Sequence, residues 1–256
     1  LFGREGNDVL LGGGERDVVD GQDGDDVILG EGGDDILSGG DDDGNDSIFA
    51  GDGDDSVAGE GGDDQIDGGA GNDTLTAQEG DDAVFGGAGD DVIGGFDGND
   101  LILGQDGDDA LFGDAGDDLI LGDAGQDTLV GGTGADLLGG GLGGDSLTGG
   151  AGADLFLFTS PGDAVDTIAD FVSGEDRIAL QGAGFDLAPG PLAGVSFLSG
   201  PTQPPFFPTT APGVYVDTAA GELRADVTGG LTFDSTLLAT FEPGSDLPVL
   251  DDFIVI

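Results

Sequence analysis

The stretch Gly68–Thr76 reads GGAGNDTLT, and the same nine-residue phrase recurs on both sides of it. Going downstream in steps of nine gives AQEGDDAVF, GGAGDDVIG, GFDGNDLIL and GQDGDDALF; going upstream gives GEGGDDQID and AGDGDDSVA. From Gly3 to Leu157 the chain divides into seventeen consecutive units. Sixteen have nine residues; Gly39–Phe49 has eleven, the two extra residues falling in the Asp41–Asp43 run. The sixth position is Asp in every unit: Asp8, Asp17, Asp26, Asp35, Asp46, Asp55, Asp64, Asp73, Asp82, Asp91, Asp100, Asp109, Asp118, Asp127, Asp136, Asp145 and Asp154. The eighth is always Leu, Ile, Val or Phe, and the fourth is Gly in sixteen units, the exception being Glu15. A fixed short period of this kind is the signature of a solenoid.

The three columns carry the fold. Glycine at positions one, two and four lets the backbone take φ > 0 and turn tightly. The last three residues, for example Thr74-Leu75-Thr76, alternate as a short strand whose middle side chain points to one face. Each unit is thus a turn plus a three-residue strand. Two units make one coil of two opposed strands, so loops eighteen residues apart stack on the same edge, and seventeen units give about eight coils.

Composition sets the condition under which such a coil can hold. The 256 residues include 55 acidic side chains, four Arg, no Lys and no His, for a formal charge of −51, with 37% hydrophobic residues and 57 glycines. That balance alone belongs to the disordered class, which strict periodicity contradicts. One buried aliphatic side chain per unit does not offset the ordering of nine backbones while stacked aspartates repel one another. The fold is therefore expected to form when cations neutralise the carboxylates. Nucleic acid and anionic membrane surfaces are poor partners for such a chain, because binding them relies on Lys and Arg.

The cation follows from the donor types. Carboxylates and glycine-loop carbonyls make a hard, all-oxygen site, which suits Ca²⁺ with six to eight ligands; Mg²⁺ is the second choice, because it keeps its waters. Zinc and copper would use His or Cys, and the chain has neither. With no cysteine there is no disulfide framework, so bound metal is the staple left to a small core. A solvated acidic surface does not explain an Asp column without exception, but it suits position five (Asp25, Asp34, Asp54), which is expected to face water. No apolar run approaches the ~20 residues of a membrane span, and no signal peptide is read at the N-terminus. Leu1-Phe2 fits positions eight and nine of a preceding unit, so the chain is expected to be cut from something longer.

GGAGNDTLT and its copies resemble the calcium-binding nonapeptide of the RTX (hemolysin-type) family. The resemblance implies an all-β fold: a right-handed parallel β-roll over residues 1–157, with Ca²⁺ between the loops stacked on each edge, followed by an antiparallel β cap. In the family pattern each ion takes an Asp from both loops, carbonyls from positions two and four of one loop, and carbonyls from positions one and three of the next. On this sequence Gly69, Gly71 and Asp73 would share an ion with Gly86, Ala88 and Asp91. Gly87, Gly89 and Asp91 would share the next with Gly104, Asp106 and Asp109. Two places depart from the pattern: Glu15 replaces a glycine expected at φ > 0, and the insertion is expected to distort the loop before Asp46. The sites touching Asp17 and Asp46 are the ones these departures weaken.

Residues 158–256 are expected to form the C-terminal capping and targeting region. Asp166-Thr167-Ile168, Asp170-Phe171 and Gly174-Glu175-Asp176-Arg177-Ile178 resemble the segment after the roll in serralysin-type proteases, and read as strands that close it. Pro189–Pro212 holds seven of the ten prolines and reads as an irregular loop in which Phe206-Phe207 pack into the cap. Val214–Asp217, Glu222–Val227 and Thr236–Phe241 read as antiparallel strands. Asp252-Phe253-Ile254-Val255 is similar to the ending of type I secreted proteins, an acidic residue followed by apolar ones, here with Ile256 added.

The function so implied is a calcium-binding module of a secreted bacterial protein. It would stay unfolded inside the cell, pass through a type I ABC-transporter machinery, and fold on extracellular Ca²⁺. No catalytic role is read: there is no His for H-E-x-x-H, no G-x-S-x-G and no Lys for a phosphate loop. The alternatives are a structural or adhesive surface protein and the C-terminal module of a larger secreted hydrolase. Cell-surface association stays open at this point.

Overall fold

The computed structural model describes residues 1–40, 44–159, 164–181, 196–200, 213–217, 222–226, 236–242, 245–246 and 252–255. Among them lie twenty-five strands and no α-helix, arranged in one sheet of fourteen strands and one of eleven. From Phe2–Glu5 to Arg177–Leu180 successive strands alternate between the sheets, and each pairs in parallel with the strand after next in its own sheet. Val84 sits beside Ile66 on one side and Ile102 on the other, a shift of eighteen residues each way. This is the expected two-unit coil, a parallel β-solenoid.

The strands are longer than the three residues expected. Thr74–Glu79 spans positions seven to nine of one unit and one to three of the next, and the same six-residue frame recurs through most of the roll. Only positions four to six remain as loop. The reason lies in the stacking: the carbonyls of position three accept bonds from the preceding layer, as when Gly71 N–H donates to Ala88 O at 2.8 Å. A residue whose backbone is paired on both sides is strand, whatever its local propensity.

Position eight fills the interior. Leu75, Ile93, Leu111 and Leu129 from one sheet meet Ile66, Val84, Ile102 and Ile120 from the other in a single core, all fully buried. Outward positions seven and nine are free of that constraint and vary from Thr to Leu to Phe.

The sheets do not stop where the seventeen units do. Asp166–Ile168 pairs in parallel with Ser146–Ala151, and Arg177–Leu180 with Leu155–Phe158, making about ten coils rather than eight. Ile168 and Ile178 extend the buried column, and Phe171 packs between Phe156 and Phe241 with ring centroids 6.0 and 5.8 Å away. Thr236–Phe241 then joins Asp166–Ile168, and Phe253–Val255 joins Arg177–Leu180, both in parallel.

Gly213–Asp217, Glu222–Asp226 and Thr236–Phe241 pair antiparallel in that order. Inside the expected loop Pro189–Pro212, Ser196–Gly200 is instead a strand paired with Gly213–Asp217, since this is the stretch free of proline between Pro191 and Pro201. Phe206 and Phe207 lie outside the described residues.

Candidate metal centre

The loops expose what the repeated glycines do, and the three glycine columns differ. Position four takes a positive φ in fifteen units, from 99° at Gly6 to 156° at Gly125. Position two does so in all seventeen units, even where it is not glycine: Arg4, Gln22, Glu31, Glu60, Gln78, Phe96, Gln105, Asp114 and Asp123 hold φ between 69° and 94°. Position one does not enter the left-handed region, contrary to expectation. Its glycine leaves space instead, since a Cβ on Gly68 would stand 2.5 Å from Asp73 Oδ2 and 2.5 Å from Gly86 O, although Ala50 and Ala77 are accommodated in the same column. Glu15 avoids positive φ, so that loop takes another path rather than straining the side chain.

The aspartates of position six form two ladders, one along each edge. From Asp26 to Asp154 they are 1–3% exposed; Asp8 and Asp17, in the first loops, are half-buried. From Asp26 onward each Oδ1 accepts the backbone N–H of the aspartate one layer earlier. Asp55 N–H donates to Asp73, Asp73 to Asp91 and Asp91 to Asp109, each at 2.8 Å. The column passes the insertion unbroken, since Asp26 N–H donates to Asp46 at 2.7 Å and Asp46 N–H to Asp64 at 2.8 Å. Residues 41–43 themselves lie outside the described residues.

The other oxygen of each carboxylate is left over. Oδ2 is buried without a hydrogen-bond partner in Asp35, Asp55, Asp64, Asp73, Asp82, Asp91, Asp100, Asp109, Asp118, Asp127, Asp136 and Asp154. Burial pushes Asp64, Asp91 and Asp127 up to about 7, and Asp73, Asp82, Asp100, Asp118, Asp136 and Asp154 to about 6. The donated backbone N–H opposes that rise, and neighbouring carboxylates add to it, as Asp73 and Asp109 do on Asp91.

Backbone carbonyls line the same loops. A Cβ on Gly69 or Gly71 would lie 2.2 Å from Gly51 O or 1.9 Å from Gly53 O, so the carbonyls of positions two and four point at the next layer. Gly87 and Gly89 stand in the same relation to Gly69 O and Gly71 O, each 2.0 Å away by the same measure. Gly69, Gly71 and Asp73 thus share adjoining layers of one edge with Gly86, Ala88 and Asp91, and Gly87, Gly89 and Asp91 with Gly104, Asp106 and Asp109.

These groups fit calcium. A buried carboxylate oxygen with no donor is costly, and a hard dication among oxygens answers it without needing a proton. Among the described residues no three carboxylates converge, so each ion would join two aspartates to backbone carbonyls.

Two members of the ladder were not legible from the period. Asp166 Oδ1 accepts the N–H of Asp145 at 3.0 Å, and Asp176 Oδ1 that of Asp154 at 3.1 Å. Their spacings of 21 and 22 residues break the eighteen-residue rule. The surviving signal is the triplet Asp-x-Ile, present as Asp166-Thr167-Ile168 and Asp176-Arg177-Ile178. Position five also holds more than a solvated surface: it is exposed, yet Asp63, Asp81, Asp90 and Asp108 each accept the N–H of the next loop at 2.8–3.0 Å.

The model of the RTX calcium-binding nonapeptide repeat, built of four copies, matches residues 2–37, 41–75, 59–93, 94–129 and 121–156. Among solved structures the chain is similar to the extracellular lipase LipA from Serratia marcescens, at 17% identity and a TM-score of 0.30, over 93% of this chain and 40% of that one. The chain therefore spans less than half the length of that protein. A search of curated proteins gives no match. The repeats of the matched family bind calcium ions in multiple sites, and the matched stretches take in more than half of the residues. The chain belongs to the RTX calcium-binding nonapeptide repeat family.

Proposed function

We propose that this chain is the calcium-driven folding module of an exported protein, unfolded where Ca²⁺ is scarce and folded where it is plentiful. The observation that carries this reading is the unbroken row of buried Asp Oδ2 atoms without hydrogen-bond partners that runs from Asp55 to Asp136. Ionised and metal-free, these stacked carboxylates oppose the fold; with Ca²⁺ between the layers they hold it. Sites of about 10⁻⁴–10⁻³ M affinity, typical of extracellular modules, would stay empty in the cytosol and fill outside.

On this reading the aspartates from Asp8 to Asp154 supply carboxylates and the loop glycines supply carbonyls. Each interior aspartate serves two layers, as Asp91 does between Asp73 and Asp109. The strands after Phe158 close the open end of the roll, because a solenoid exposes its core unless its last coil is covered. Asp252-Phe253-Ile254-Val255 is the export signal read by a type I transporter. Chemistry on a substrate, where the parent protein has any, belongs to another part of it.

The test is far-UV circular dichroism of the purified chain in EDTA, titrated with Ca²⁺ and separately with Mg²⁺. A cooperative coil-to-β change near millimolar Ca²⁺, and none with Mg²⁺, is the expected result. A β spectrum already complete in EDTA at neutral pH overturns the reading. Export is tested separately: secretion that survives deletion of Leu250–Ile256 removes the signal role.

A further inference from the structure

Residues 168–176, just after the last repeat, act as one hub. Asp176 Oδ1 accepts the N–H of Asp154, the last aspartate of the repeats, and its Oδ2 accepts the N–H of Val172 at 2.8 Å. That closes a turn over Val172–Asp176, in which Gly174 takes φ +87° and both Glu175 N–H and Asp176 N–H donate to Val172 O. The C-terminal part of the chain fastens onto the same few residues. Glu242 N–H donates to Ile168 O, Ser245 Oγ to Ala169 O at 2.7 Å, and Asp246 N–H to Phe171 O at 2.8 Å.

The last fastening is Asp252. Its Oδ2 accepts from Ser173 Oγ at 2.8 Å and its Oδ1 from Gly174 N–H at 3.0 Å, and the residue is 3% exposed. Directly after it, Phe253–Val255 pairs with Ile178–Leu180. The turn that grips Asp252 is therefore shaped by Asp176, and Asp176 is held in place by the loop of Asp154.

We propose that Asp252 is a latch: its carboxylate docks the C-terminal strand onto the Val172–Asp176 turn, and that turn exists only once the loop of Asp154 is formed. The tail is thereby free in the unfolded chain and, in the folded one, engaged by its strand pairing with Ile178–Leu180. Resting on the export reading above, the same carboxylate that would be offered to the transporter is consumed by the fold, so export and native docking exclude each other. A chain that has folded outside cannot present its tail again.

Hydrogen–deuterium exchange of the full chain in saturating Ca²⁺ tests this, comparing wild type with Asp252→Ala, Asp252→Asn and Asp176→Asn. The readouts are the amides of Phe253–Val255 and, as control, those of Ala110–Ala115 in mid-roll. Asp252→Ala is expected to speed exchange of the tail at least tenfold and leave mid-roll protection unchanged, Asp252→Asn to speed it less, and Asp176→Asn to loosen turn and tail together. In EDTA, tail and roll are expected to exchange alike. Unchanged tail protection in Asp252→Ala, or a tail still protected in EDTA while the roll exchanges freely, overturns the latch. Those outcomes leave the export reading standing, and a failed deletion assay on Leu250–Ile256 leaves the latch standing.

Discussion

Asp73 gives its two carboxylate oxygens different tasks: Oδ1 accepts the backbone N–H of Asp55 at 2.8 Å, and Oδ2 is buried beside Gly68 with no hydrogen-bond partner. One atom stacks the layers and the other calls for a cation. The division repeats along both edges, so the two contributions can be separated by substitution.

Asp91→Asn keeps an oxygen for the N–H of Asp73 but removes the charge; Asp91→Ala removes both. Both variants are expected to lose bound Ca²⁺ by equilibrium dialysis, by one or two ions, since Asp91 adjoins two layers. Urea unfolding in saturating Ca²⁺ is expected to show Asp91→Ala below Asp91→Asn by about 1–3 kcal/mol, the cost of a buried N–H left without an acceptor. Equal stability of the two would mean that the stacking bond contributes nothing.

Glycine columns should respond according to their different constraints. Gly71 has φ +138°, and a Cβ there would meet Gly53 O at 1.9 Å, so Gly71→Ala is expected to cost more than about 2 kcal/mol. Gly68→Ala presses on Asp73 Oδ2 at 2.5 Å without a φ penalty, and the chain itself carries alanine at that column in Ala50 and Ala77. A smaller loss, with a weakened Ca²⁺ midpoint, is expected for it in a circular dichroism titration.

The exposed ladder offers the opposite sign. Asp108 accepts the N–H of Gln126 at 2.8 Å, and Asn at that place keeps an acceptor while dropping a negative charge, as Asn72 and Asn99 already do for Asp90 and Asp117. Asp108→Asn is expected to lower the Ca²⁺ concentration needed for folding and to stabilise by up to about 0.5 kcal/mol. Its exposure keeps the gain small and salt-sensitive. A raised midpoint would instead place Asp108 among the ligands.

Protons and calcium compete for the same carboxylates. Burial pushes Asp64, Asp91 and Asp127 up to about 7 in the fold and Asp73, Asp82 and Asp100 to about 6, above the ordinary carboxylate value of 3.8, so the folded chain binds more protons than the unfolded one in between. Their stabilising contribution without metal is fully present below about 3.8 and is lost as pH rises through 6 to 7. In EDTA, β structure is expected to grow between pH 8 and pH 5. With metal present, the Ca²⁺ midpoint is expected to rise over the same acidification. A metal-free chain that loses structure on acidification would contradict the burial of these groups.

Much of the molecule was legible because the repeat is strict. An Asp every nine residues with an aliphatic residue two positions later is enough to place Leu75, Ile93 and Leu111 in one column and Asp73, Asp91 and Asp109 in another. Residue types alone restrict the cation to one that takes oxygen, since the chain offers no His or Cys.

Tertiary structure decided what depends on contact between layers rather than on order along the chain. Strand length is one case, because position three is strand only through bonds such as Gly71 N–H to Ala88 O. The role of Gly68 is another: its φ is ordinary, and the space it leaves matters only because Asp73 and Gly86 converge there. Asp166, Asp176 and Asp252 are the third. Their spacing carries no period, and they enter the ladder and the latch because packing of the final coil brings them beside Asp145, Asp154 and Ser173. Local periodicity fixes a repeating unit, whereas where the last unit ends and what closes on it is set by the surfaces that meet.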